Sequence, residues 1–497
     1  GATTGSHLID SPFLDFDYLL KALLFNTFST NESVTFYLIY LSTFIFSACS
    51  MYIVLRYVTD KMVIRMVVSL IFAFAPYHIL RGMGHITLSN CWMVPIGIYL
   101  AYKISEIREN KAGKKELILL LLLAFISGFG NIYYGLFSFI LIFVGMICNF
   151  IVNKSLNKLI EIVIVYLGII CGMAINVVPK IIFGIIAGPN SDASIRGAME
   201  SDFYGLRLAQ LFLPPSYIRG SLFQKIITKY NTEYSEYVNE NSLSSIGVVA
   251  IITFIVLIIV LLRLYLKNEE NHFIFVSGLF LLALTVYCSV GGIGSIVASF
   301  IVSQFRGLNR VSIYFTAILL IVFAYLADKI KNKRLLAMIM IIFSVASLYE
   351  NIDNPPEGFQ LAQIEIDNIN KEFFSEVEVA LGENANVYQL PFVRFPEEPP
   401  VNNMSDYSHF KGYVYTDTIN WSYGGIKGRD TYAESLYIDD GMSDEFVSSI
   451  VNVGYDAVYI DTNAYEDEGE QIVSYYMKKS DKAPIVSSDG KMYVFML

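Results

Sequence analysis

Between residues 34 and 350 the chain is a succession of apolar runs, most of them long enough to cross the hydrocarbon of a bilayer, and after residue 351 the runs stop. That pattern excludes most soluble folds. Inside lipid every backbone N–H and C=O must be satisfied by the segment itself or its neighbours, so such runs fold as a bundle of helices. Candidate spans are 34–57, 62–80, 87–104, 117–130, 132–152, 160–185, 245–266, 273–290, 310–328 and 335–350, about ten in all. The run 117–130 is short, and reads as tilted, re-entrant or extended by its basic flank. The expected fold class is an all-α polytopic membrane domain over 1–350 followed by a small α/β extracytoplasmic domain over 351–497.

Charge gives the orientation. Lys103, Arg108, Lys111, Lys114 and Lys115 share one loop, Lys154 and Lys158 another, Arg263 and Lys267 a third, and Lys329, Lys331, Lys333 and Arg334 a fourth. All four fall on one side of the membrane, which the positive-inside rule makes cytoplasmic. The outer side then receives 1–33, 186–244, 291–309 and the whole of 351–497, as expected for a multi-pass protein of a bacterial cytoplasmic membrane. Residues 12–28 are apolar but too short to span and suit an interfacial helix.

The net charge of −10 hides this split between basic inner loops and an acidic C-terminal domain, and it argues against nucleic acid as a partner. The five cysteines lie in or beside apolar runs, show no metal-ligand spacing, and read as small core residues. The C-terminal domain reads as helix 360–380, strand 386–393, helix 443–453, strand 456–460, helix 466–479 and a final hairpin turning at Ser488-Asp489-Gly490.

Ionisable groups at the ends of spans are costly, so each is a candidate for function. Asp10, Asp15 and Asp17 lie in the first outer loop, where a carboxylate can act as general base or ligate a divalent cation such as Mg or Mn; the competing reading is a helix start capped by Ser11 and Asp15. His78, Arg81 and His85 surround a Gly-rich turn where a span emerges, and the guanidinium fork of Arg81 suits a phosphate; an interfacial anchor is the plainer alternative. Arg196, Glu200, Asp202, Tyr204, Arg207 and Gln210 in the long outer loop suit sugar hydroxyls or a phosphate, or else form a solvated salt-bridge patch. Arg306, Asn309 and Arg310 open a span, where helix amides add to the charge; snorkelling to lipid head groups would place arginines there too. In the C-terminal domain, Trp421, Tyr423, Lys427 and Arg429 sit in a Gly-rich aromatic run suited to stacking on a sugar ring, or to packing as a loop.

These segments together resemble the bacterial multi-spanning glycosyltransferases of the GT-C class. The likeness is carried by Gly1–Asp17, by Phe74–His85, by Gly130-Asn131-Ile132-Tyr133-Tyr134, by Arg207–Pro215, by Arg306–Arg310, and by Tyr388–Phe392 and Trp421–Arg429. What the resemblance implies is transfer of a sugar from a polyprenyl-phosphate or polyprenyl-diphosphate carrier to a cell-envelope acceptor, at the outer face. It also implies a carboxylate in the first outer loop as base or metal ligand. Here Asp10 and Asp15 stand in that loop, with the chain expected to begin inside it and the family's usual carboxylate expected before Gly1. Donor phosphate would then meet His78, Arg81, His85, Arg306 and Arg310, and substrate would meet Glu200, Asp202, Arg207, Gln210, Asn309, Trp421, Tyr423, Lys427 and Arg429. Two other classes remain: a non-enzymatic lipid or polysaccharide translocase, and a phosphoglycerol-type transferase of the envelope.

Overall fold

The computed structural model describes residues 9, 15–28, 31–106, 112–153, 158–190, 192, 196–218, 220–351, 359–429 and 440–497. The chain divides into two compact units. One holds Leu14–Pro179 and Arg196–Asn354; the other holds Gly1–Phe13, Lys180–Ile195 and Pro355–Leu497.

The first unit is all helical. Among the described residues, six helical stretches are long and apolar enough to cross a membrane: Glu32–Tyr57, Met62–Arg81, Ile132–Asn153, Leu159–Ile186, Val248–Lys267 and Leu308–Asp328. This corrects the expected ten. The run 87–104 breaks at Asn90 into Ile86–Ser89 and the 13-residue helix Met93–Ser105. At 1.5 Å per residue that helix reaches about 20 Å, short of the ~30 Å of hydrocarbon. The runs 117–130 and 273–290 become helices of 16 and 17 residues, Lys114–Phe129 and His272–Cys288. The last, Lys333–Glu350, has 18 residues but carries Lys333, Arg334 and Glu350 at its ends.

Leu308–Asp328 is buried over 83% of its apolar window and forms the centre of the bundle, whereas Val248–Lys267 is buried over 22% and presents its flank to lipid. Close crossings are made by glycine, because lipid tails leave packing rather than hydrophobicity to hold spans together. A Cβ on Gly128 would stand 2.2 Å from the Ile169 carbonyl oxygen, and one on Gly172 would stand 2.3 Å from that of Phe125. Lys114–Phe129 and Leu159–Ile186 therefore touch backbone to backbone.

Hydrogen bonds fix which span ends lie together. Thr59 donates to Asp328 (2.7 Å), Lys61 to the Ile330 carbonyl (3.1 Å), and Lys158 to the Lys103 carbonyl (3.0 Å). Of these groups, Ile330, Lys103 and Lys158 belong to loops that the charge pattern puts in the cytoplasm. Arg81 and Asn309 are bonded to each other (2.7 Å) at the opposite ends of the same two spans.

The second unit carries an open five-stranded sheet: β1 Asn386–Leu390, β2 Asn420–Trp421, β3 Ala457–Asp461, β4 Ile485–Val486 and β5 Met492–Met496, in the order β2-β1-β3-β5-β4. The first three are mutually parallel, and β5 pairs antiparallel with β3 and β4. Period-two alternation divides the side chains between two faces. Val387, Ala457, Tyr459 and Val494 pack with Phe373, Phe374 and Val377 of the helix Phe359–Leu381. Tyr388, Leu390, Val458 and Ile460 pack with Phe446 and Ile450 of Asp444–Val453 and with Ile472 and Tyr476 of Glu470–Lys479. The helices, strands and closing hairpin read from the sequence are all present; the two-residue β2 and the five-residue helix Lys411–Tyr415 are additional.

Candidate functional site

The polar centre of the helical unit is built on Glu240, in the long loop before the span Val248–Lys267. Arg81, at the end of Met62–Arg81, donates to Glu240 Oε1 through Nη1 and to Asn309 Oδ1 through Nη2 (2.7 Å). Arg310, at the start of Leu308–Asp328, donates to the same carboxylate through Nε (3.0 Å) and Nη2 (3.3 Å). The Arg310 guanidinium lies 4.5 Å from the centre of the Tyr133 ring, and that of Arg81 lies 5.1 Å from Tyr77. These are cation–π distances. Asn309 is held in turn, donating from Nδ2 to the Tyr204 carbonyl (2.9 Å). The Arg81 side chain is fully enclosed, and its Nε has no hydrogen-bond partner among the described residues.

Electrostatics keep this carboxylate charged. Burial pushes the Glu240 carboxyl up, but the charges of Arg310 and Arg81 outweigh it and hold its pKa at about 2. His85, on the turn after Arg81, is exposed yet has a lowered pKa, first from partial desolvation and then from the Arg81 charge. It is neutral at pH 7.

A second constellation lies around the interfacial helix Phe16–Asn26, which the expected apolar run 12–28 brackets. Asp15 caps this helix, its carboxylate accepting from the Asp17 backbone N–H (3.0 Å). Asp17 is buried and accepts from Lys21 Nζ (2.9 Å) and Asn90 Nδ2, while Lys21 also donates to Asn90 Oδ1 (2.6 Å). Burial, and then the Asp17 charge, push the Asp15 carboxyl up to about 8. The two constellations are joined through the chain: Arg81 and Asn90 stand at either end of one turn, tied across itself by Ser89 Oγ donating to the Gly82 carbonyl (2.6 Å).

The remaining expectations sort against this geometry. Asp10 lies outside the described residues. His78 is corrected as a phosphate ligand: it is fully buried, Thr43 Oγ1 and the Ala73 carbonyl occupy its two ring nitrogens at 2.7 Å each, and it stacks on Phe44. Arg306 does not join Arg81 and Arg310 at Glu240. It pairs with Glu200 (2.6 Å), whose carboxyl burial pushes up but the Arg306 bond, the Gly197 N–H and the nearby arginine charges together hold below its ordinary value. Asp202 ties its loop down by accepting from Gly291 N–H (2.8 Å) and Ser295 Oγ (2.5 Å). Arg207 lies over Tyr237 at 4.8 Å, and Gln210 is buried with its Nε2 unbonded among the described residues.

In the sheet-bearing unit, Trp421 is corrected as a stacking platform. It is fully buried under Phe374, and its indole N–H donates to Thr416 Oγ1 (2.9 Å). Tyr423 is 6% exposed, at the rim of a shallow cleft with Tyr407 and His409. Lys427 pairs with Glu398 (3.3 Å), and Arg429 donates to the Ala187 and Gly188 carbonyls (2.7 and 2.8 Å), so both hold structure within that unit.

A divalent cation fits poorly at Asp15 and Asp17. The Lys21 ammonium already occupies the Asp17 carboxylate, and no cluster of three His, Cys, Asp or Glu suited to a metal occurs among the described residues.

Sequence reasoning missed Glu240, Lys21 and Asn90. Glu240 sits between two asparagines in a loop that also holds Glu233 and Glu236, and its local pattern does not distinguish it. Lys21 carried a signal, a lone cation four residues after Asp17 on an otherwise apolar helix.

A family model described as a domain of unknown function (DUF6311) matches residues 19–348, and the chain belongs to that family. No curated protein matches the chain.

Proposed function

We propose that this member of the DUF6311 family is a membrane glycosyltransferase that moves a sugar from a polyprenyl-phosphate or polyprenyl-diphosphate carrier to a cell-envelope acceptor at the outer face. The observation that carries this reading is the meeting of Arg81 and Arg310 on one carboxylate, at the span ends opposite the basic loops. Two guanidiniums at that level are placed to meet a lipid-linked phosphate whose tail lies among the spans.

The chemistry divides between the two constellations. The acceptor oxygen forms a bond to the anomeric carbon as the bond from that carbon to the donor phosphate oxygen breaks. The electron pair leaves on the polyprenyl phosphate, whose charge the arginines stabilise. The acceptor proton passes to Asp15, whose raised pKa makes it a stronger base than an ordinary aspartate. Lys21 and Asn90 hold the neighbouring Asp17 away from that role. No step calls for a metal.

The test is transfer of labelled sugar from a synthetic polyprenyl-phosphate sugar by the full chain in membranes, with acceptor glycan extracts supplied. Label moving to the acceptor, and abolished in Arg310→Ala, is the expected result. Intact donor after long incubation refutes the reading, and donor carried intact across a vesicle bilayer would make the protein a translocase.

A further inference from the structure

Counting charge at Glu240 narrows what the site takes. The hydrogen-bonded set is Arg81, Arg310, Glu240 and the neutral Asn309. Two fixed positive charges and one fixed negative charge leave one positive charge. His85 adds none at pH 7, Arg306 is neutralised by Glu200, and Arg207 lies against Tyr237 without a bond to Glu240. The set is enclosed: Arg81 exposes none of its side chain, and Arg310 and Glu240 expose 17% each. Charge in such a place must be matched nearly one for one, because a buried surplus of either sign is costly. A point of attachment exists as well. Arg81 Nε is a buried donor with no partner, and Arg310 spends only Nε and Nη2 on Glu240.

We infer that Glu240 is a specificity-determining residue that sets this site for a ligand bearing a single negative charge, a phosphodiester rather than a diphosphate. Resting on the transferase reading, this makes the donor a polyprenyl-monophosphate sugar, whose one ionised oxygen balances the site. A diphosphate-linked donor carries a second negative charge that the set leaves unmatched. Glu240 acts here by subtracting one charge from an arginine pair that would otherwise suit the dianion.

The experiment is direct binding by the purified full chain, with two synthetic ligands that share prenyl chain and sugar and differ only in a mono- or diphosphate link. A water-soluble methyl phosphodiester of the same sugar separates a lipid head group from a free phosphate as the source of the charge. Wild type is expected to bind the lipid monophosphate at least about ten-fold more tightly than the diphosphate, and Glu240→Gln to shift that ratio toward the diphosphate by a similar factor, the effect of one unit charge in a partly buried site. The double variant Glu240→Gln with Arg310→Gln restores a single positive charge and is expected to recover the monophosphate preference. It also removes the arginine left unpaired, so it reports even where Glu240→Gln alone does not fold. Equal or tighter binding of the diphosphate by wild type, a ratio unmoved by Glu240→Gln, or a diphosphate preference in the double variant overturns the inference and leaves the transferase reading standing. Binding of neither lipid overturns both, and tighter binding of the soluble diester than of the lipid monophosphate overturns the assignment to a lipid donor.

Discussion

Acid should dissolve the Glu240 pairing in a defined window. The carboxyl is held at about 2 against an ordinary glutamate near 4.5. At about 1.4 kcal/mol per unit, the ionised carboxylate in this setting, net of its burial, contributes roughly 3 kcal/mol to the folded state. The sign follows from the depressed folded value: the contribution is whole above the unfolded pKa of about 4.5 and is lost as pH falls toward 2. Between pH 5 and pH 3 about 2 kcal/mol disappears. Other carboxylates titrate in the same range, so the measurement is a difference. Melting midpoints of wild type and Glu240→Gln are compared at both pH values in the same detergent. The variant, with no titrating group at 240, should melt well below wild type at pH 5, and the gap should shrink by more than half at pH 3. Parallel losses in the two proteins would show that Glu240 is not held ionised by the arginines, and the charge count built on it would fall.

Four further outcomes follow from other parts of the molecule. Asp15 is raised rather than lowered, so the sign reverses: the folded state favours its protonated form, and stability is lost as pH rises toward about 8. Asp15→Asn should therefore flatten the decline in melting midpoint between pH 6 and pH 9, and an unchanged decline would refute the assignment. The same raised value predicts transfer rates that climb about ten-fold per pH unit up to about pH 8 in wild type, since only the ionised carboxyl accepts a proton; a flat profile over pH 6–8 removes Asp15 as the base. Gly172→Ala forces apart backbones that a Cβ would approach to 2.3 Å, for about 1–3 kcal/mol of destabilisation; Gly184→Ala, with nothing within 4 Å, is the matched control, and equal melting shifts would contradict the close crossing. Trp421→Ala empties the core of the sheet-bearing unit at about 3–5 kcal/mol, visible as protease sensitivity of that unit, and a resistant variant would show that the indole is not core.

What the sequence disclosed depended on the range of the interaction. The sheet-bearing unit was legible because period-two strands such as Tyr388 to Leu390 and Val458 to Ile460, and the amphipathic helix Asp444–Val453, announce their buried faces locally. β2 escaped because two residues carry no period. Hydropathy located the apolar runs but overcounted spans, since it averages over Asn90 in the run 87–104. That one polar residue is retained because Asp17 and Lys21, about 70 positions away, satisfy it. Trp421 and His78 misled for a related reason: their side chains suit ligand contact and core packing equally, and only burial separates the two.

The arginines were legible as a type and opaque as a set. A cation at the end of an apolar run is conspicuous whatever its partner, so Arg81, Arg306 and Arg310 all stood out. Which carboxylate each meets is decided by the path of the loop 196–247, and that path is fixed by contacts such as Asn309 N–H donating to the Tyr204 carbonyl (3.1 Å) and Ile246 N–H to that of Leu211 (3.2 Å). Two arginines four residues apart are thereby given different fates, Arg306 to Glu200 and Arg310 to Glu240. Phosphate recognition depends on the charge left after such pairing, not on the number of cations in reach. A reading that counts arginines alone would assign this site three positive charges and favour a diphosphate. The pairing leaves one, and that single charge is what the proposed monophosphate preference rests on.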